Sequence, residues 1–78
     1  MATNYTIRQS VRDALQSIPA NSDFKGYDFL NLCRSNLRKN GNVARPYDST
    51  LLRDLRRYRW EFKITVVDSH KSIYHKGE

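Results

Sequence analysis

The sequence predicts an α+β fold in one small domain, three helices followed by a C-terminal β-hairpin. Three observations predict it. Apolar residues recur at helical spacing in three separate stretches before Tyr58. Strong helix stops, Pro19 and Asn40-Gly41, separate those stretches. After Tyr58 the period changes from helical to alternating, with Trp60, Phe62, Ile64 and Val66 interleaved with Glu61, Lys63 and Thr65.

The first helix is expected over residues 6–18. Thr6 with Gln9 fits a capping box, and Ile7, Val11, Ala14, Leu15 and Ile18 make one apolar stripe. Pro19 ends it, and Ala20 to Asp23 is a polar connector. Phe24-Lys25 reads as a very short strand or as a core plug, because an apolar residue between polar neighbours allows both. The second helix is expected over residues 27–39, with Gly26 as N-cap and Asp28 in the first turn. Phe29, Leu30, Cys33 and Leu37 form its buried stripe; Asn31, Arg34, Ser35 and Arg38 face away. Gly41 is able to take the left-handed position that follows a helix.

The third helix is expected over residues 48–58. Asp48 is its N-cap, and Pro46 keeps the approach extended. Helical geometry puts Leu51, Leu52, Leu55 and Tyr58 on one side. Ser49, Thr50, Arg53 and Arg57 fall on the opposite side, with Arg56 and Asp54 on its flanks. The hairpin is expected over residues 60–75, with a turn at Asp68-Ser69-His70-Lys71, a returning strand Ser72-Ile73-Tyr74-His75 and a tail Lys76-Gly77-Glu78. Tyr58, Trp60 and Phe62 lie in phase with the apolar stripes and are assigned to the core. Tyr47 is left open between packing and base stacking.

A chain of 78 residues is near the size at which a single core is only marginally sufficient, so most apolar residues are needed inside. The net charge is +6. Residues 34–63 hold nine basic and three acidic side chains, whereas the rest of the chain is balanced, five against five. The whole excess therefore lies in the middle segment, around the third helix. With an isoelectric point near 9.8, this favours a polyanionic partner, nucleic acid before an anionic membrane surface. The single cysteine cannot close an internal disulfide, and its place on a buried stripe makes it a small core residue. There is no signal-like apolar run and no stretch long enough to span a bilayer, so a cytoplasmic location is expected. Asn4-Tyr5-Thr6 fits a glycosylation acceptor, which means little without a secretion signal.

The order of elements resembles a winged helix-turn-helix domain of the compact kind found in small regulators and phage or mobile-element proteins. The resemblance covers roughly residues 6–75. It is carried by Phe24-Lys25-Gly26-Tyr27, by Pro46-Tyr47-Asp48-Ser49-Thr50-Leu51-Leu52-Arg53-Asp54-Leu55-Arg56, and by Val66-Val67-Asp68-Ser69-His70-Lys71-Ser72-Ile73-Tyr74. The resemblance implies that the third helix is the recognition helix and the hairpin turn is the wing. Two features depart from the pattern. The link from Asn40 to Pro46 is longer than a tight helix-turn-helix turn. Arg59-Trp60 stands where a glycine often joins the third helix to the wing.

The residues themselves point the same way. An α-helix fits the DNA major groove, and arginine pairs bidentately with guanine. Arg53 and Arg57 lie one turn apart, with Ser49 and Thr50 at the helix N-terminus, where backbone N–H groups favour phosphate. Arg45 in the link is placed for a phosphate, as are His70 and Lys71 at the turn, and Arg56 lies on the flank of the helix face. These eight residues, Arg45, Ser49, Thr50, Arg53, Arg56, Arg57, His70 and Lys71, are the expected DNA contacts of a sequence-specific duplex-binding protein, a small transcriptional regulator. The alternatives are a protein-interaction module that docks an acidic partner with the same face, and RNA binding, with exposed rings stacking on bases. A homodimer fits the small DNA interface of one domain. No metal-ligand spacing, glycine-rich phosphate loop or nucleophile-base pair is present, so no enzyme activity, cofactor or small-molecule ligand is expected.

Overall fold

The computed structural model describes residues 4–78. Its elements are α1 (Ile7–Ser17), β1 (Ser22–Lys25), α2 (Gly26–Lys39), α3 (Asp48–Arg57), α4 (Arg59–Phe62), β2 (Ile64–Asp68) and β3 (Ile73–Lys76). The three strands form one antiparallel sheet in the order β1-β3-β2. Phe24 is thus a strand residue: it pairs with Tyr74, and their rings stack with centroids 5.5 Å apart. α1, α2 and α3 enclose the core, which contains Val11, Leu15, Phe29, Cys33, Leu51 and Leu55, with Ile64 joining it from the sheet.

Local chemistry sets the helix ends. At α1 the capping box forms: the Gln9 N–H donates to Thr6 Oγ1 at 3.1 Å, and the Thr6 N–H donates to Gln9 Oε1 at 2.8 Å. The helix stops at Ser17 because Ile18, which precedes proline, is held extended. α2 ends in a Schellman motif. The Asn42 N–H reaches Leu37 O at 2.9 Å, the Gly41 N–H reaches Arg38 O at 3.2 Å, and Gly41 is left-handed at φ 78°.

Several sequence expectations are corrected. The N-cap of α2 is Lys25, and Gly26 is the first helical residue. The Gly26 N–H donates to Ser72 O at 2.7 Å, and a Cβ there would meet Ser72 Cβ and the Tyr74 ring, each at 3.3 Å. Glycine is needed for this close approach of helix to hairpin. The N-cap of α3 is Tyr47, whose carbonyl accepts from the N–H groups of Thr50 and Leu51. Asp48 sits one place inside, where its carboxylate still favours the helix N-terminus.

The largest correction is at residues 59–62. A strand from Trp60 was expected, but this segment is a helical turn, α4, making a fourth helix. Tyr58 and Phe62 are spaced four apart, which suits both an alternating strand and one helical turn. The chain takes the turn: the Phe62 N–H donates to Tyr58 O at 3.1 Å, and their rings meet edge-on at 6.3 Å. A strand would have put Trp60 on the same side as Tyr58 and Phe62. In the helical turn it points outward and is 80% exposed, not in the core. Lys63 closes α4 in the left-handed region at φ 53°, and the hairpin runs from Ile64 to Lys76 instead of 60–75.

Lys76, expected in the tail, belongs to β3. Its ammonium donates to Leu15 O at 2.6 Å and Ile18 O at 2.7 Å, so it satisfies carbonyls at the end of α1. It also lies 5.3 Å from the centroid of the Phe62 ring.

Cys33 is fully buried, and burial is the main cause that pushes its thiol from 9.0 up to about 12. The Tyr5 hydroxyl is raised as well, first by burial and then by its 2.5 Å hydrogen bond to Asp13. Both groups hold their protons more tightly folded than unfolded. Their contribution is therefore full below the unfolded values and is lost as pH rises through the folded ones. Folding stability is expected to decline as pH climbs above about 9 toward 12. Alkylation of Cys33 at pH 8.5 is expected to be negligible in buffer and rapid in denaturant. Rapid alkylation of the native protein would contradict the burial.

Candidate nucleic-acid interface

α3 is anchored by Leu51 and Leu55, both buried, with Leu52 and Tyr58 packed partly against the same cluster. This inner side fixes what the helix shows to solvent. Ser49, Arg53, Arg56 and Arg57 are exposed on the remaining surface. Thr50 is half-buried and turns toward α1, where it lines a shallow recess with Asp54, Thr6, Ile7 and Arg8. The open face is thus centred on Arg53 and its arginine neighbours, with Thr50 at its edge.

Charge on this face is little offset. Asp54 lies at its α1 edge, and Asp48 is engaged elsewhere: Arg34 of α2 forms an ion pair with Asp48 and donates to Pro46 O at 3.4 Å. Arg34 thereby ties α2 to the start of α3. This link was missed from sequence, because Arg34 reads as an outward residue and Asp48 as a cap. Both side chains are substantially exposed, so the pair orients α3 more than it stabilises the domain. Arg56 and Arg57 occupy the last turn of α3, where their charge also complements the helix dipole.

The remaining expected contacts lie on other elements. Arg45 is exposed in the link before α3 and lines a recess with Arg34, Arg38 and Val43. No carboxylate lines that recess. His70 and Lys71 are exposed in the β2–β3 turn, where Asp68 Oδ1 accepts from the Lys71 N–H at 3.1 Å and Ser72 is left-handed at φ 53°. This turn is docked to the first residue of α2, not to α3. The eight residues therefore form a helix face, a link and a hairpin tip, all solvent-accessible and held on three different segments.

Among the described residues, no three His, Cys, Asp or Glu side chains gather in a way that could hold a metal ion, and no helix is long and apolar enough to cross a membrane. No family model matches the chain, and neither a curated protein nor a solved structure matches it.

Proposed function

We propose that the chain is a winged helix-turn-helix domain that binds double-stranded DNA sequence-specifically, as a small intracellular transcriptional regulator without enzymatic activity. One observation carries this reading: α3 buries Leu51 and Leu55 and leaves Arg53, Arg56 and Arg57 in solvent. A helix held in this way can enter a major groove and aim arginines at base edges. The element order supports it, since the second and third helices are followed by a hairpin whose last strand pairs back to the short strand before α2. In this reading α3 is the recognition helix and the β2–β3 turn is the wing.

Selection of bound sequences from random duplex DNA at physiological salt, with an RNA pool alongside, tests the proposal. An enriched duplex motif supports it. Enrichment in RNA alone assigns the face to RNA, and enrichment in neither pool leaves an acidic protein as the partner. On the selected site, log affinity is expected to fall with log salt with a slope of roughly −3 to −6, as for a handful of neutralised phosphates. A flat salt dependence would count against nucleic acid.

The helix and the turn have separable roles. Arg53→Ala is expected to cost about 1–3 kcal/mol on the preferred site and to relax preference at one base position. Lys71→Ala is expected to weaken all duplexes by a similar factor and to make the salt slope shallower by about one unit. Titration of both variants against the preferred and a scrambled duplex, at two salt concentrations, distinguishes these. A changed base preference in Lys71→Ala alone would make the hairpin the reader.

A further inference from the structure

Trp60 is the chain's only tryptophan, and it stands outside the core. Arg59 lies over its ring at 4.9 Å from the centroid. Together with Lys63, Ile64 and Thr65 the two residues line a cleft. The cleft runs beside β2, which is an edge strand, because the sheet order leaves only β3 as its neighbour. The ladder to β3 shifts register between Val66 and Asp68, so the regular part of the edge is Ile64–Val66, next to the cleft. Beyond it Val66 is 62% exposed and Val67 54%. An exposed tryptophan beside an uncovered strand edge that carries exposed valines is a combination that monomeric domains normally avoid.

The charge that lines the cleft has one sign. Arg59 and Lys63 line the cleft and no carboxylate does. Glu61, the acidic residue between them in sequence, is paired with Arg12 of α1 at 3.0 Å and does not line the cleft. A second copy of the chain would bring two such cationic clefts together at a net charge of +6 each, which opposes self-association through this edge.

We infer that the β2 edge and the Trp60 cleft form a docking site for an extended, acidic segment of another protein, which adds as a strand alongside Ile64–Val66. The added strand takes up backbone hydrogen bonds along the edge. Its apolar side chains cover Trp60 and Val66, and its carboxylates meet Arg59 and Lys63. None of the residues that line the cleft is among the eight assigned to duplex contact, so the site does not depend on the DNA-binding reading.

The test is a selection from a displayed library of random extended peptides of about ten residues, enough for one strand. Trp60→Ala serves for counter-selection, because it leaves the charge unchanged and removes peptides held by general attraction to a basic protein. The expected winners alternate Asp or Glu with apolar residues. A synthetic winner should shift the Trp60 emission to the blue and protect from exchange the Ile64 and Val66 amides, which face away from β3 in the ladder. Its affinity should fall by about tenfold or more in Trp60→Ala, the loss expected of an aromatic anchor. Arg59→Glu should also weaken it, while binding to the selected duplex stays unchanged in Trp60→Ala. The proposal is overturned if nothing is enriched over the counter-selection, or if the winners are neutral or basic. It is equally overturned if the emission shifts with protein concentration alone, which would make a second copy the occupant, or if duplex DNA alone produces the shift.

Discussion

Arg53→Glu combined with Arg57→Glu is expected to abolish duplex binding while leaving the domain folded. Each arginine contact to a base edge or phosphate carries about 1–3 kcal/mol, and reversal adds repulsion from the phosphates in place of the attraction removed. The effect on folding is much smaller, because both side chains are exposed and neither forms an ion pair among the described residues. Exposed substitutions of this kind usually stay within about 0.5 kcal/mol. Arg57 lies in the last turn of α3, so a carboxylate there opposes the helix dipole at about 0.3–1 kcal/mol. At about 4–8 °C per kcal/mol for a domain of this size, the double variant should melt at most about 15 °C lower and stay folded at the temperature of the titration. Circular dichroism and a duplex titration on the same preparation check both halves. A variant that melts normally and still binds duplex at full affinity would remove α3 as the DNA-contacting element.

The sidedness of α3 was legible in the sequence because it is a local property. Leu51 and Leu55 lie one turn apart, and a helix that buries them must turn Arg53 outward. The stripes of α1 and α2, the Thr6–Gln9 box and the Gly41 stop were legible for the same reason: each depends on residues within about one turn of one another. What could not be read depends on how distant segments meet. Thr50 is drawn toward the recess against Arg8 by the placement of α1. Arg34 finds Asp48 across the whole α2–α3 link, and Lys76 finds the end of α1 across most of the chain.

The segment Tyr58–Phe62 failed for a different reason. Its pattern satisfies two periods at once, and only Trp60 distinguishes them. A large apolar ring argues for burial on average, so sequence reasoning put it inside. The structure turns it out, because α3 continues almost directly into α4 and Tyr58 and Phe62 fill the space below. The same event moves the start of the hairpin and uncovers the surface beside β2. A misread period and a candidate docking site are thus two consequences of one helical turn.

Leu55→Ala is expected to be the most damaging single change to the fold. Leu55 is 2% exposed and belongs to the cluster formed by α1, α2 and α3. Truncating a leucine in such a place costs about 2–5 kcal/mol, part of it lost transfer energy and part the cavity left behind. A chain of this size is stable by only about 4–12 kcal/mol, at the usual per-residue stability. The variant should therefore lose a large share of its stability, with the thermal midpoint falling by about 10–40 °C. Cys33 gives an independent readout, because it lies in the same cluster and is protected only while the core is closed. Its alkylation at pH 8.5 should become fast in Leu55→Ala at temperatures where the parent is inert. Well below its own midpoint the variant should still bind duplex, because the arginine face is intact whenever α3 is docked. A Leu55→Ala protein that melts like the parent and keeps Cys33 protected would mean that α3 is not seated on this leucine. The outward direction of Arg53 would then lose its physical basis.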